Sequence, residues 1–336
     1  MESLGYMRSK TPDLVIYTEA SPTVGHGHLT RCVALAEEAS RRGLNAAFSV
    51  SDSYTAHIVE ASGQIVLDNV PAFTPFIIRD FRDGSSVIDV KRYRDAGSRV
   101  LLLDELGEAR TCATIVSDAL MTPERSRFFA HAADVAYLYG LEYAPLRRRF
   151  MEVASTRVEA GAARRLFISF GGCDPLGITL RFLQALDDYN FGGPTTVVAG
   201  GTPREFNEAL KITSAWKETT VHQGVEDMAE LMKGGCLVAT KIGITLMESF
   251  CLGMGCVFIE PSPAHVALEA KLAQYYSPWP AVEYGLAEEV DFFYAARETM
   301  KMLEDASLLN DLGRSAAHLV DGCGILRLID ALTGDS

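Results

Sequence analysis

Along the first half of the chain, short runs of consecutive apolar residues alternate with segments whose apolar positions recur every three or four residues. The runs are "DLVIYT" (13–18), "NAAFSV" (45–50), "QIVLD" (64–68) and "RVLLLDE" (99–105). Between the first two, a helix is predicted from about Leu29 to Arg42, with Leu29, Cys32, Val33, Leu35 and Ala36 on its buried face. Strands that are apolar on successive residues suit a sheet covered on both faces, so the alternation predicts a parallel sheet wrapped by helices. At "EVASTRVEAGAARR" (152–165) the pattern turns polar, small and charged. A second alternation then opens with "RLFISF" (165–170), "TTVVAGG" (195–201), "TTVHQG" (219–224), "CLVATK" (236–241) and "GCVFIEP" (255–261), each followed by a helical stretch. The prediction is two doubly wound α/β domains, residues 1–158 and 159–336, joined once near 155–165. The carboxyl ends of both sheets should face a cleft that takes the ligand.

A length of 336 residues gives each half enough chain for its own core. The net charge of −13 argues against nucleic acid and anionic membranes as partners, while leaving room for a local basic cleft that holds a small anion. Seven cysteines, none in a Cys-x-x-Cys spacing, read as reduced thiols and not as a disulfide framework or a zinc site. "MESLGYMRSK" lacks the apolar core of a secretory signal and no run of about 18 apolar residues occurs, so a cytoplasmic protein without membrane insertion is expected. No residue pattern bears on the oligomeric state.

Chemistry concentrates in three stretches. "SPTVGHGHLTRC" (21–32) places Gly25 and Gly27 where a strand turns into a helix, so that backbone can approach a ligand and the helix start can present free N–H groups to an anion. His28 is expected at the ligand end of that helix, with Arg31 one turn on, free to meet an anion or to pair with Glu37 or Glu38. His26 and His28 read equally as ordinary loop histidines, although two glycines at a helix mouth favour a role for one ring. Thr30 stands where a dinucleotide fingerprint needs its third glycine. "FISFGGCDPLG" (167–177) repeats strand, paired glycines Gly171 and Gly172, then Cys173 and a helix entrance with Asp174 as N-cap and Pro175 in the first turn. A phosphate cradle and a plain tight turn explain these glycines equally well. "VATKIGITLMESFCLGMGCVFIEP" (238–261) sets Gly243, Thr245 and Glu248 at a helix start, where the carboxylate suits the two hydroxyls of a ribose or the helix dipole. Lys241 is an anion partner or a solvated edge charge, and His265 opens the following helix.

Together these segments resemble the nucleotide-sugar hydrolase family of pseudaminic acid biosynthesis, which acts on UDP-2,4-diacetamido-2,4,6-trideoxy-β-L-altropyranose, and its spore-coat polysaccharide relatives. "GHGHLTRCVALAEE" matches the family's Gly-x-Gly-His-x-x-Arg-Cys-x-x-Leu-Ala opening, and "YLYGLEYAPLRRRF" (137–150) its Leu-Gly-x-x-Tyr-x-x-Leu-Arg segment. "LFISFGGCDPLGIT" matches its Ser-Phe-Gly-Gly-Ser-Asp-Pro turn, and "LVDGCGILRLIDAL" (319–332) its Asp-Gly-x-Gly-x-x-Arg ending. The resemblance implies a GT-B fold of the MurG type, uridine diphosphate on the C-terminal domain and the sugar projecting toward the N-terminal glycine loop. His28 then takes the place of the catalytic histidine, and an imidazole is suited to take a proton from attacking water. Neither a metal nor a cofactor is called for, because helix N-termini can stabilise the leaving diphosphate. The chain departs from the family on the nucleotide side. Ile242-Gly243-Ile244-Thr245 replaces Gly-Gly-Ser-Thr, Cys173 replaces a serine, and His265 stands where an Asn-Gln pair is expected. The expected activity is hydrolysis of a UDP-activated amino sugar; a GT-B glycosyltransferase and a silent sugar- or partner-binding homologue are the alternatives.

Overall fold

A computed structural model describes residues 11–20, 27–156, 164–172, 174–200 and 202–334. Six parallel strands form the first sheet: β1 (Leu14–Thr18), β2 (Ala46–Ser49), β3 (Phe76–Asp80), β4 (Arg99–Leu103), β5 (Ile115–Asp118) and β6 (Ala136–Tyr139), in the order β2-β1-β3-β4-β5-β6. Six more form the second: β7 (Arg165–Ile168), β8 (Thr195–Val198), β9 (Thr219–His222), β10 (Gly235–Thr240), β11 (Gly255–Glu260) and β12 (Ala281–Leu286), in the order β12-β11-β10-β7-β8-β9. Ile16, Ile77, Ile78, Leu101 and Leu102 in one sheet and Leu166, Leu237 and Val238 in the other are wholly buried, because helices cover both faces of each sheet. The expected two doubly wound sheets are therefore present.

One expected strand is absent. "QIVLD" makes a single bridge, Val66 to Phe48, at the outer edge of β2. Its place beside β1 belongs to β3, whose "FIIRD" pairs residue for residue from Leu14–Phe76 to Thr18–Asp80. The central position buries both faces of Ile77 and Ile78, which the edge would leave wet.

The expected boundary at 158/159 falls between β6 and β7, and two helices cross it. The helix Arg148–Ser155 seats Phe150 and Val153 in the core of the second half, beside Leu246 and Phe250. The final helix, Gly324–Thr333, returns to the first half and buries Ile325, Leu328, Ile329 and Leu332 among Leu14, Leu35 and Leu101. Arg99 fixes it by donating from Nε to the Leu332 carbonyl at 2.8 Å. The halves are thus joined twice, not once near 155–165, because the apolar stripe of the last helix finds its partner surface on the first sheet. Among the described residues, no helix is long and apolar enough to cross a membrane.

Candidate active site

In each sheet the strand order reverses once, and loops leaving the carboxyl ends on either side of such a reversal splay apart to leave a crevice. In the first sheet this point lies between β1 and β3; in the second it lies between β7 and β10. The two crevices face each other. Between them is a cavity of about 270 Å³ lined by Gly27, His28 and Arg31 from the first half and by Gly171, Gly172, Lys241, Gly243 and Thr245 from the second.

The helix Gly27–Arg41 begins directly at the cavity, which places His28 on its first turn. His28 Nδ1 lies 2.6 Å from Oδ1 of Asp80, the last residue of β3. Arg31 grips the same carboxylate from Nε and Nη2, both at 2.6 Å, and reaches Asp104 Oδ2 from Nη1 at 2.5 Å. Asp80 is fully buried. Burial alone would raise its carboxyl, but the Arg31 charge, the Arg31 hydrogen bonds and the His28 contact hold it at about 2. An ionised carboxylate only accepts hydrogen bonds, so Nδ1, which also lies 3.1 Å from Arg31 Nη2, carries a hydrogen toward Asp80, and a neutral ring then keeps its lone pair on Nε2. Arg31 is not paired with Glu37 or Glu38, since one helical turn brings it over the carboxyl ends of β3 and β4. Asp104 has a left-handed backbone, φ 50°, unusual for a residue with a side chain, and it lines the cavity. Behind it, burial and then the Asp104 charge push Asp118 up to about 7, while Arg125 at 3.6 Å pulls the other way.

On the opposite wall, Gly171 has φ 93°, and a Cβ on Gly200 would lie 2.2 Å from the Gly171 carbonyl oxygen. The loop after β7 is therefore pressed against the loop after β8, and only glycine fits either position. The helix that follows starts later than expected, at Ile178. Asp174 does not face the cavity: it is buried, and its two oxygens accept the Ile178 and Thr179 amides at 2.9 and 2.7 Å, while Pro175 belongs to the preceding turn. Gly243 has φ 152° and open space at its Cβ position, and the helix Ile244–Cys251 starts immediately after it. The Ile242 side chain is not in the way of a ligand. It is buried in the apolar core, and its amide donates to Glu260 Oε1 at 2.8 Å.

Glu248 sits one turn deeper, in an adjoining cleft of about 690 Å³ that shares Gly27, Gly171, Gly172 and Thr245 with the central cavity. Burial pushes its carboxyl up to about 7 against the pull of Arg147. His265 lies apart. It opens a groove with Arg125 and Lys271, and its Nδ1 is 2.6 Å from Ser262 Oγ. Gly25, His26 and Cys173 lie outside the described residues.

Asp80, Asp104 and Asp118 were not singled out from the sequence, although each closes an apolar run: "FIIRD", "VLLLD" and "TIVSD". An aspartate at the carboxyl end of several parallel strands is the signal that points to a site, because that is where the crevice opens.

The reversal in each sheet is the doubly wound order, and the two sheets meet across the cavity. MurG of Acinetobacter baumannii superposes on 96% of this chain and 100% of its own, with a TM-score of 0.66 at 14% identity. The fold is GT-B. Anabaena HepE, solved with UDP-glucose, shares this GT-B architecture over 96% of this chain and 99% of its own, with a TM-score of 0.57 at 11% identity. No protein-family model matches the chain. Spore coat polysaccharide biosynthesis protein SpsG of Bacillus subtilis is 24% identical over 332 residues, 93% of this chain and 95% of its own length. An uncharacterized protein of Methanocaldococcus jannaschii, MJ1062, is 26% identical over 266 residues; the match takes in 73% of this chain and 55% of that protein's length.

Proposed function

We propose that this protein hydrolyses a UDP-activated amino sugar to the free sugar and UDP, in the making of a nonulosonic acid of the pseudaminic type or of a surface polysaccharide. The observation that carries the reading is the orientation of His28. Its Nδ1 lies against Asp80, which leaves Nε2, without a hydrogen-bond partner among the described residues, for a cavity whose far wall is the Gly171–Gly172 loop and the Gly243 turn that opens a helix. Similarity to SpsG along nearly the whole chain supports a place in polysaccharide biosynthesis.

In this reading the amides at Gly171–Gly172 and Gly243–Thr245 hold the diphosphate, and Glu248 accepts the ribose hydroxyls from the adjoining cleft. Water attacks the anomeric carbon and gives its proton to His28 Nε2. The bond from that carbon to the diphosphate oxygen breaks with both electrons leaving on UDP. Asp80 stabilises the imidazolium that forms, and Arg31 keeps Asp80 ionised. The diphosphate leaves as an anion and needs no proton.

The same dyad would deprotonate a sugar hydroxyl in a transferase, so the test must separate the two. A panel of UDP-amino sugars is incubated without any acceptor. Release of UDP together with reducing sugar, lost about 10²–10⁴-fold in His28→Asn, is expected. UDP release that needs an added acceptor would make the protein a transferase.

A further inference from the structure

The turn before the helix Ile244–Cys251 offers an anion fewer donors than the Gly-Gly-Ser-Thr turn of the family the sequence resembles. The Ile242 amide points inward to Glu260 Oε1, and the position after Gly243 carries an isoleucine with no hydroxyl. A diphosphate bears two or more negative charges, which the remaining helix-start amides meet only with partial charges. Two basic side chains line the cavity, Arg31 and Lys241. Arg31 is neutralised by Asp80 and Asp104. Lys241 has no carboxylate within 4 Å among the described residues, although the chain as a whole carries a net charge of −13. It stands at the end of β10, directly before the turn, and shares the cavity wall with Gly171, Gly172 and Gly243.

Lys241 and Arg82, from opposite halves, both act electrostatically on His265. Glu260, the carboxylate that feels Lys241 from longer range, already accepts the Ile242 amide and is fully buried. An unpaired ammonium group facing a cavity across from a histidine base is poised for an anionic ligand, because ligand binding would supply the counter-charge that the protein withholds.

We propose that Lys241 is the charged anchor of the diphosphate in this chain, replacing by its ammonium group the backbone and hydroxyl donors lost at Ile242 and Ile244. The inference rests on the nucleotide reading given above. It narrows the ligand to a nucleoside diphosphate or its sugar ester, since uridine and other uncharged nucleosides give Lys241 nothing to bind.

Calorimetry at low ionic strength with UDP and with uridine tests it on the full chain, comparing wild type, Lys241→Met and Lys241→Arg. The wild type is expected to bind UDP more tightly than uridine. Lys241→Met is expected to weaken UDP about 10- to 100-fold while leaving uridine within about 2-fold, and Lys241→Arg to retain most of the UDP affinity. Added salt should weaken UDP binding more in the wild type than in Lys241→Met. A merely structural lysine would move uridine and UDP together. Wild-type affinity for UDP in a folded Lys241→Met variant overturns the assignment of Lys241 alone. A wild type that binds neither ligand overturns the nucleotide reading, and with it this inference.

Discussion

Replacing Asp80 by asparagine tests the part of the site on which the chemistry turns. The carboxylate is fully buried and accepts N–H bonds from His28 Nδ1 and from two nitrogens of Arg31. A carboxamide keeps one acceptor oxygen and turns an NH₂ toward a second donor, so Arg31 loses at least one charge-assisted hydrogen bond and one counter-ion. The loss of such a bond costs about 1.5–3 kcal/mol. The larger cost of a bare buried charge, about 3–5 kcal/mol, is not reached because Asp104 still holds Arg31 at 2.5 Å. The chemical effect is larger. With the NH₂ facing Nδ1, the imidazole hydrogen moves to Nε2 and the lone pair at the cavity disappears, which should lower turnover about 10³–10⁴-fold. Urea unfolding measures the first effect, and long-range ¹H–¹⁵N spectra of the His28 ring report the tautomer without any substrate. A folded Asp80→Asn variant that keeps the Nδ1–H tautomer and full turnover would refute the reasoning.

Other changes test separate parts of the account. Asp118, Glu248 and Glu260 each sit at about 7 in the folded chain, against an ordinary carboxyl value near 4 when unfolded. The folded state therefore holds more protons between these values, and the thermal midpoint should fall as the pH rises from about 4.5 to 7, less steeply in Glu248→Gln; a midpoint that rises over this range would contradict the burial of these groups. Ile242→Gly should lower stability by about 3–5 kcal/mol in urea titration without tightening UDP, because the side chain is core and its amide is already used. Leu328→Ala should cost about 2–5 kcal/mol and speed hydrogen exchange in β1 and β4, distant in sequence, because the last helix completes the first core. Exchange that rises only in the second half would contradict that placement.

Much of the architecture is legible because internal parallel strands are written as unbroken apolar runs, which "VLLL" and "CLVAT" display plainly. "FIIRD" escaped because it is short and follows a proline-flanked loop, while "QIVLD" is equally apolar; only the position beside β1 decides between them. Gly27, His28, Gly171, Gly172, Gly243 and Thr245 were expected at a ligand cleft, and the fold brings them to one cavity. The partners of Arg31 could not be read locally. They lie 49 and 73 positions away on neighbouring strands, whereas the nearby Glu37 and Glu38 belong to later turns of the helix. Asp174 was read as the cap of the helix after the paired glycines, and the folded chain uses both of its oxygens on that helix start, although the helix begins later, at Ile178.

The central claim is that one cleft holds a nucleotide on the second half and presents His28 of the first half to what the nucleotide carries. Hydrogen exchange of the full chain with and without UDP tests it most directly, because UDP alone should touch only one wall. Amides at 170–178 and 241–249 are expected to become protected while residues 27–32 exchange as before; protection at 27–32 without change at 241–249 would place the nucleotide on the wrong wall and contradict the account.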